Sequence, residues 1–470
     1  MINADDVEPL PDADPDTGFW SQRDILAHIH RFARSRSVAP YAVLGCVLRR
    51  AISCVEPTVK LPPIIGGTVS VNLFTISAGR SGQGKDAADS AGFAAVDFPD
   101  AIGDNLDADR PNIGSGEGLA RLFKGHKGET ALTRAHLIVP EVATLAALAG
   151  RQGATLSGEI LKAYMGQPLG FNNGQKDTTT AVEAHSYRLC LGVGVQPENA
   201  DFFLAREKDG LPQRFLWAPT IDPYAPEDRP DPVDRVTVVI PDFGGDESLV
   251  GVPPAVVSEI LAHRHQVLIG SQDVDPLDGH LMLIRLKVAF GLALLEGRKD
   301  INEDDWKIGG DLLDVSRRVR DDMRWVIDES RRRQNTAKAY DQADREAIIA
   351  VRLAEESQKR VAQAITRKLK RVRRAKRVDL RRACDVSIRG DFDTVFDLFL
   401  DKGFIVCCEG RDGHADEYQL APDGCEITPP SHPPFPQLRG GVTGGVKSHP
   451  QHPHRIQRPA IMHPTEEPHP

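Results

Sequence analysis

Hydrophobic and polar residues alternate with two different periods along this chain, and the change of period marks its parts. From Phe19 to about Ser53, Ile25, Leu26, Ile29, Phe32 and Ala33 recur at helical spacing. That pattern predicts two amphipathic helices, broken at Ala39-Pro40. Between 67 and 240 short apolar or β-branched runs (TVSVNLFTISA, HLIVPE, YRLCLGVGV, RFLWAP, RVTVVIP) alternate with helical stretches. A mostly parallel α/β sheet produces that alternation. Residues 253–333 read as helical and end in a long charged helix. Asn302 is its N-cap, and Glu303, Asp304 and Asp305 fill its first turn. A basic helix follows, then a small module over about 379–421. Within the module, Val395, Phe396, Leu398 and Phe399 are expected to face a core, and FIVCC and EYQL to form a hairpin around GRDGHAD.

The boundaries that follow are an arm over 1–16, an N-terminal helical segment over 17–66, a core over 67–240 and a helical region over 241–335. A basic linker helix covers 336–378, the module 379–427, and a tail 428–470. The acidic, proline-rich arm and the Pro-, Gly- and His-rich tail lack apolar periodicity and are expected to be disordered. The tail's six histidines make metal capture a second possibility. No run approaches the ~18 apolar residues that cross a bilayer, and the acidic start excludes a secretory signal. The seven cysteines form no CxxC pair and no zinc spacing. Reduced thiols and a cytoplasmic setting are therefore expected, with no membrane partner.

A net charge of −9 hides a sharp asymmetry. Residues 359–382 carry twelve Lys or Arg against the single acid Asp379. Such a density neutralises several phosphates and predicts salt-dependent, sequence-independent nucleic-acid binding. Lys368, Lys370, Arg371, Arg373 and Arg374 are its densest part; a solvated linker helix is the alternative.

The stretch NLFTISAGRSGQGKDAA, residues 72–88, carries the chemistry. An apolar run precedes Gly79, Gly82, Gly84 and Lys85, and an Ala-rich helical stretch follows. Strand, glycine loop and helix N-terminus together expose free N–H groups and a helix dipole to an anion. Glycines let the backbone wrap phosphates, and Lys85 would reach the β/γ-phosphates of ATP. A tight turn with a solvated lysine is the competing reading. Asp86 stands where Ser or Thr normally holds Mg²⁺. Its carboxylate either ligates the metal differently or repels phosphate and impairs hydrolysis.

Partner residues can be sought at other strand ends. Glu141, after Leu137-Ile138-Val139-Pro140, suits a Mg²⁺ or water-activating acid, or merely opens a helix. Glu117 in IGSGEGLARLF suits a base that polarises water, or is a first-turn glutamate. Gln196, directly after an apolar strand, suits a γ-phosphate sensor or is a loop glutamine. Arg214 suits a finger reaching a neighbouring subunit's site, or a surface ion pair.

In their order, VNLFTISAGRSGQGKDAA, IGSGEGLARLF, HLIVPEVATLAALAGRQGATL, SYRLCLGVGVQP, LPQRFLW and LIRLKVAFGLALLEGRKDINEDDW resemble a family of actinobacterial prophage and plasmid P-loop ATPases. That family is related to helicase-like replication proteins, often beside or fused to primases. The resemblance spans about 17–420. It implies a RecA-like or AAA-like P-loop core with N-terminal helices, a helical lid and a C-terminal winged helix. It matches Gly79, Gly82, Gly84 and Lys85 to the phosphate loop, Glu141 to the acidic strand end, Gln196 to the sensor and Arg214 to the finger. It places Arg285 on the lid, aimed at the phosphates, with a snorkelling core arginine as alternative. ATP and Mg²⁺ as cofactors, single-stranded or forked DNA and a primase as partners, and a homo-oligomer follow from it. The rival reading is a non-catalytic DNA-binding or regulatory protein that keeps a degenerate ATPase shell.

Overall fold

The computed structural model describes residues 16–125, 130–150, 155–171, 179–205, 209–270, 275–408 and 416–422. The arm up to residue 15, most of the GRDGHAD turn and the tail lie outside them. The chain divides between Arg331 and Arg332 into two compact units.

The first unit is mixed α/β. Its sheet holds four parallel strands, β1 (Phe74–Ala78), β2 (Arg134–Val139), β3 (Arg188–Val195) and β4 (Phe215–Pro219), in the order β2-β3-β1-β4. Register is fixed by Phe74 opposite Leu191 and Phe215, and by Arg134 opposite Arg188. Asp109 adds a parallel bridge to Ala135 on the outer edge of β2. Strands buried on both faces need apolar residues throughout, and all of β1 and β3 is buried.

Helix α1 (Asp24–Ser35) is amphipathic, whereas α2 (Pro40–Ser53) is buried at every position and lies against the sheet. Gly45 meets Thr75 and Ala218 there. Helix α3 (Lys85–Ala95) follows β1, α4 (Gly116–Lys124) precedes β2, and α5 (Val142–Ala149) and α6 (Leu156–Met165) follow it. Later come α7 (Pro254–Leu268) and the core helix α8 (Leu281–Leu295), whose Gly291 packs on Leu48 and Ile52. Phe74, Phe203, Phe215 and Trp217 meet in tilted and edge-to-face contacts on the sheet face opposite α2.

Two apolar runs differ from the single strands their pattern suggests. TVSVNLFTISA breaks into Val69–Ser70, antiparallel to Val59–Leu61, and β1. Buried Asn72 is the pivot. Its Oδ1 accepts from Leu189 N and Arg188 Nη1 (both 3.1 Å), and its Nδ2 donates to Ala163 O at 2.7 Å. RVTVVIP shrinks to Val236–Thr237, paired with Val96–Asp97.

The expected long charged helix and the basic linker helix after it are one element, α9 (Glu303–Val372). Between 303 and 372 its only glycines are Gly309 and Gly310, and it has no proline, so nothing interrupts it. It opens as expected: Asp305 N donates to Asn302 Oδ1 and Asn302 N to Asp305 Oδ2, each at 2.8 Å. It stops before Arg373, which takes a left-handed φ of 61°.

The second unit contains the later part of α9, α10 (Arg377–Arg382), α11 (Phe392–Asp401) and the hairpin β5 (Ile405–Cys408) with β6 (Glu417–Leu420). Ala375–Lys376 joins β6 as a third antiparallel strand. Val361, Ile365, Leu369, Leu380, Phe392, Phe396 and Phe399 form its core. Leu398 does not join them: it is 42% exposed, on the outer face of α11.

Candidate nucleotide site

The loop between β1 and α3 sits where the strand order departs from the chain order. β1 is central, yet the chain leaves it for the far edge strand β2 before returning to β3. Crevices that bind ligands in open α/β sheets lie at such points, beyond the carboxyl ends of the strands.

Each end of the loop is anchored. Gly79 N donates to Val195 O at 2.9 Å, tying the loop to the end of β3. Thr220 donates to Ala78 O through both N (3.0 Å) and Oγ1 (3.1 Å), tying it to the end of β4. A Cβ on Gly79 would lie inside contact distance of Thr220 Oγ1, so only glycine fits. Gln83 Oε1 accepts from Arg80 N at 2.6 Å and closes the turn. Gly82 and Gly84 take φ of 80° and 75°, which side chains rarely adopt.

Lys85 opens α3 and is buried. Its Nζ donates to Gly79 O and Arg80 O, both at 3.0 Å. The ammonium is therefore held by carbonyls of the loop itself. Gly194 in β3 meets both the Pro140 carbonyl and Lys85 Cδ where a side chain would stand. That brings the ends of β1, β2 and β3 together, with Glu141 next along the chain.

The candidate acids and sensor are distributed unevenly around this point. Glu141 is exposed and begins α5 without a side-chain capping bond. Gln196 follows Val195 and is half-buried, its Oε1 accepting from Asn199 Nδ2 at 3.3 Å. Asp86 is exposed on the first turn of α3. Glu117 is exposed, paired with Arg121 at 2.7 Å, behind the Ser115 cap.

Arg285 has other partners than the loop. Its Nε donates to Trp306 O (2.9 Å), its Nη1 pairs with Glu259 (2.8 Å), and its guanidinium lies 4.0 Å from the Trp306 ring centroid. The expected aim at the phosphates is replaced by this clamp between α7, α8 and α9. Arg214 precedes β4 and so lies at the amino edge of the sheet, opposite the loop. It donates to Gly210 O, its Nε is buried without a hydrogen-bond partner, and burial lowers its pKa.

A cavity of about 400 Å³ borders the loop, lined by Gly82–Gly84 and Ala87, by Arg36–Ala39 after α1, and by Thr220, Asp222 and Arg229 after β4. Arg34 pairs with Asp222 (2.8 Å) and Arg229 donates to Ser35 O (2.6 Å), bracing its walls. These walls, Thr220 and Gly194 carried no motif. Only the glycines of RLCLGVGV, two apart in a strand, signal close approach on one face: Gly192 to Arg49, Gly194 to Pro140.

A triphosphate fits this loop by its left-handed glycines, its helix N-terminus and its adjoining cavity. Among the described residues no group of three or more His, Cys, Asp or Glu could hold a metal. Mg²⁺ is usually held by one or two carboxylates and the nucleotide's own phosphates, so Asp86 and Glu141 would be enough. Among the described residues no helix is long and apolar enough to cross a membrane.

In the second unit, Lys368, Lys370 and Arg371 lie on the last turns of α9 and Arg373 and Arg374 in the turn after it. Lys370, Arg371, Arg373 and Arg374 are exposed and Lys368 is half-buried. Arg374 Nε donates to Gln419 at 3.0 Å. On α11, Asp393 and Asp397 pair with Arg377 at 3.0 and 3.3 Å. Asp397, partly offset by Arg377, and Asp401 flank the exposed Leu398 on an acidic outer face. No protein-family model matches this chain, and no curated protein matches it.

Proposed function

We propose that this protein is a P-loop ATPase of RecA-like or AAA-like architecture that acts on DNA, as a helicase-like motor or remodelling enzyme. The observation that carries the reading is Lys85, held by the carbonyls of a glycine loop between a buried parallel strand and the N-terminus of α3. Phosphate oxygens would take over the ammonium from those carbonyls, while the backbone N–H groups of the loop receive the remaining charge. ATP supplies the reaction's free energy when bound. Glu141, at the joined strand ends, is the residue we assign to water or metal, and Gln196 to the γ-phosphate.

The helix–helix–hairpin order of the second unit supports a winged helix. The acidic face of α11 argues against that helix entering a DNA groove, which leaves the cations around the end of α9 as the nucleic-acid surface. Replacing Lys368, Lys370, Arg371, Arg373 and Arg374 with Gln should flatten the slope of log K against log salt. Each phosphate that is no longer neutralised removes about 0.7 of slope on single strands. An unchanged slope would make this segment a spacer.

The test of the ATPase reading is ATP binding and hydrolysis with and without single-stranded DNA, wild type beside Lys85→Ala. The variant should bind nucleotide at least tenfold more weakly, about 1.4 kcal/mol. Equal affinities would refute it. A second reading, nucleotide binding without turnover, is favoured by Asp86 in place of a hydroxyl and by the Glu117–Arg121 pair. Binding without hydrolysis, persisting in Asp86→Ser, would select it.

A further inference from the structure

Every residue from 331 to 356 on α9 is exposed. Isolated helical stretches draw little stability from propensity alone and usually bury one face against something. This stretch offers a face. Arg333, Ala337, Tyr340, Asp344, Ile348, Val351 and Glu355 fall within one narrow arc of the helix, at successive spacings of four, three, four, four, three and four. Arg333 to Asp344 and Asp344 to Glu355 are each eleven residues, the repeat that keeps a seam almost in line along a helix. Tyr340 is 70%, Ile348 55% and Val351 59% exposed. Ile349 and Leu353, also exposed, point away from this arc and take no part.

We propose that this seam pairs, antiparallel, with the same seam of a second copy of the chain. The spacing reads identically in both directions, so two copies turned about Asp344 bring unlike residues together. Tyr340 meets Ile348, Ala337 meets Val351, and Arg333 meets Glu355 at both ends. A parallel pair would set Arg333 against Arg333 and Glu355 against Glu355, and like charges across a helical seam select against that arrangement. The two Asp344 carboxylates come together on the axis, a cost that fixes register and keeps the association reversible. Nothing in this pairing depends on what the glycine loop binds.

Cross-linking and mass together decide it, on the full chain carrying Cys407→Ser, Cys408→Ser and Cys425→Ser. Asp344→Cys should form a chain-to-chain disulfide by itself. Ala337→Cys alone should not, but a mixture of Ala337→Cys and Val351→Cys chains should. By light scattering, Asp344→Leu should tighten the dimer at least tenfold. Arg333→Glu should weaken it, and adding Glu355→Arg in the same chain should restore it. Self-cross-linking at 337 as ready as at 344 would overturn the antiparallel seam in favour of a parallel one. A monomeric mass with no cross-link in any of these variants, their circular dichroism unchanged, would overturn the pairing altogether.

Discussion

At the carboxyl end of the sheet Lys85 donates to two carbonyls of an exposed glycine loop. At the amino end Lys287 also donates to two carbonyls, Asn72 O at 2.9 Å and Tyr164 O at 2.6 Å, with Nζ 3.3 Å from the Tyr164 ring centroid. Beside it Arg188, fully buried, donates to Val55 O, Glu56 O, Val59 O, Ser70 Oγ and Asn72 Oδ1. The two ends of the sheet use the same kind of bond for different purposes. Around Arg188 and Lys287 the acceptors belong to packed backbone that has nowhere to move. Around Lys85 they belong to a loop with left-handed glycines and a cavity alongside, so a ligand oxygen can replace them. A cation is poised for function when its partners can be exchanged, and structural when they cannot.

The largest effect expected from this contrast is on stability. Arg188→Met takes the donor from five acceptors, four of them buried and Glu56 O part-buried, of which Asn72 Oδ1 keeps Leu189 N. Each one left unsatisfied costs about 1–3 kcal/mol, though neighbours relax to recover some. A loss of at least ~3 kcal/mol in urea unfolding is expected. Lys85→Met takes the donor from only two carbonyls, Gly79 O buried and Arg80 O part-buried, and should cost less, about 1–2 kcal/mol. Equal losses at the two positions would remove the distinction.

A smaller effect separates space from charge at the loop. Gly79 does not need a left-handed φ; it needs room, because Thr220 Oγ1 and Gln83 Oε1 occupy the place of a Cβ. Gly79→Ala should push the loop from its anchors and weaken nucleotide binding at least tenfold, about 1.4 kcal/mol. Thr220→Ala in the same chain should recover part of that loss, since the methyl then has a vacated hydroxyl site. Isothermal titration of the wild type, the single variant and the pair reads this directly, and no recovery in the pair would place the obstruction elsewhere.

How much of this was legible in the sequence depended on whether the signal was local. The loop, the start of α3 at Lys85 and the Asn302 cap of α9 each follow from neighbouring residues, and the α/β alternation follows from period. The places of Arg285 and Arg214 were not legible, because a position before a strand or on a core helix does not say which edge of a sheet it reaches. Only the register of Phe74 with Phe215 places Arg214 opposite the loop. Asn72 hid inside an apolar run, since a polar residue that completes a ladder has no pattern of its own. The walls of the cavity, Arg36 to Ala39 and Thr220 to Arg229, are nearly two hundred residues apart and meet only in three dimensions.

The amino end should also declare itself in acid. His280, near Arg214 and Lys287, is pushed down to about 4 by burial first and by those two cations next. His136 is held well below its ordinary value by burial and then by Arg49, whose Nε donates to His136 Nε2 at 3.1 Å. Both are therefore neutral in the folded protein, while in the unfolded chain each takes a proton near pH 6.5. Below that pH the unfolded state binds more protons, so the histidines' share of stability is complete above about 6.5 and falls as the pH drops towards 4. Each histidine adds at most about 1.4 kcal/mol per pH unit to that slope. Burial, and then Arg188, lowers Lys287 in the same sense, so it too adds stability as the pH rises towards the unfolded lysine value near 10. His280→Leu keeps the volume against the edge of Tyr164 and removes one titrating group. Urea midpoints between about pH 7 and 4.5 should fall for wild type and fall less steeply for the variant. Identical slopes would mean that His280 is not protected at the amino end, and the contrast between the two ends would then rest on Arg188 and Lys287 alone.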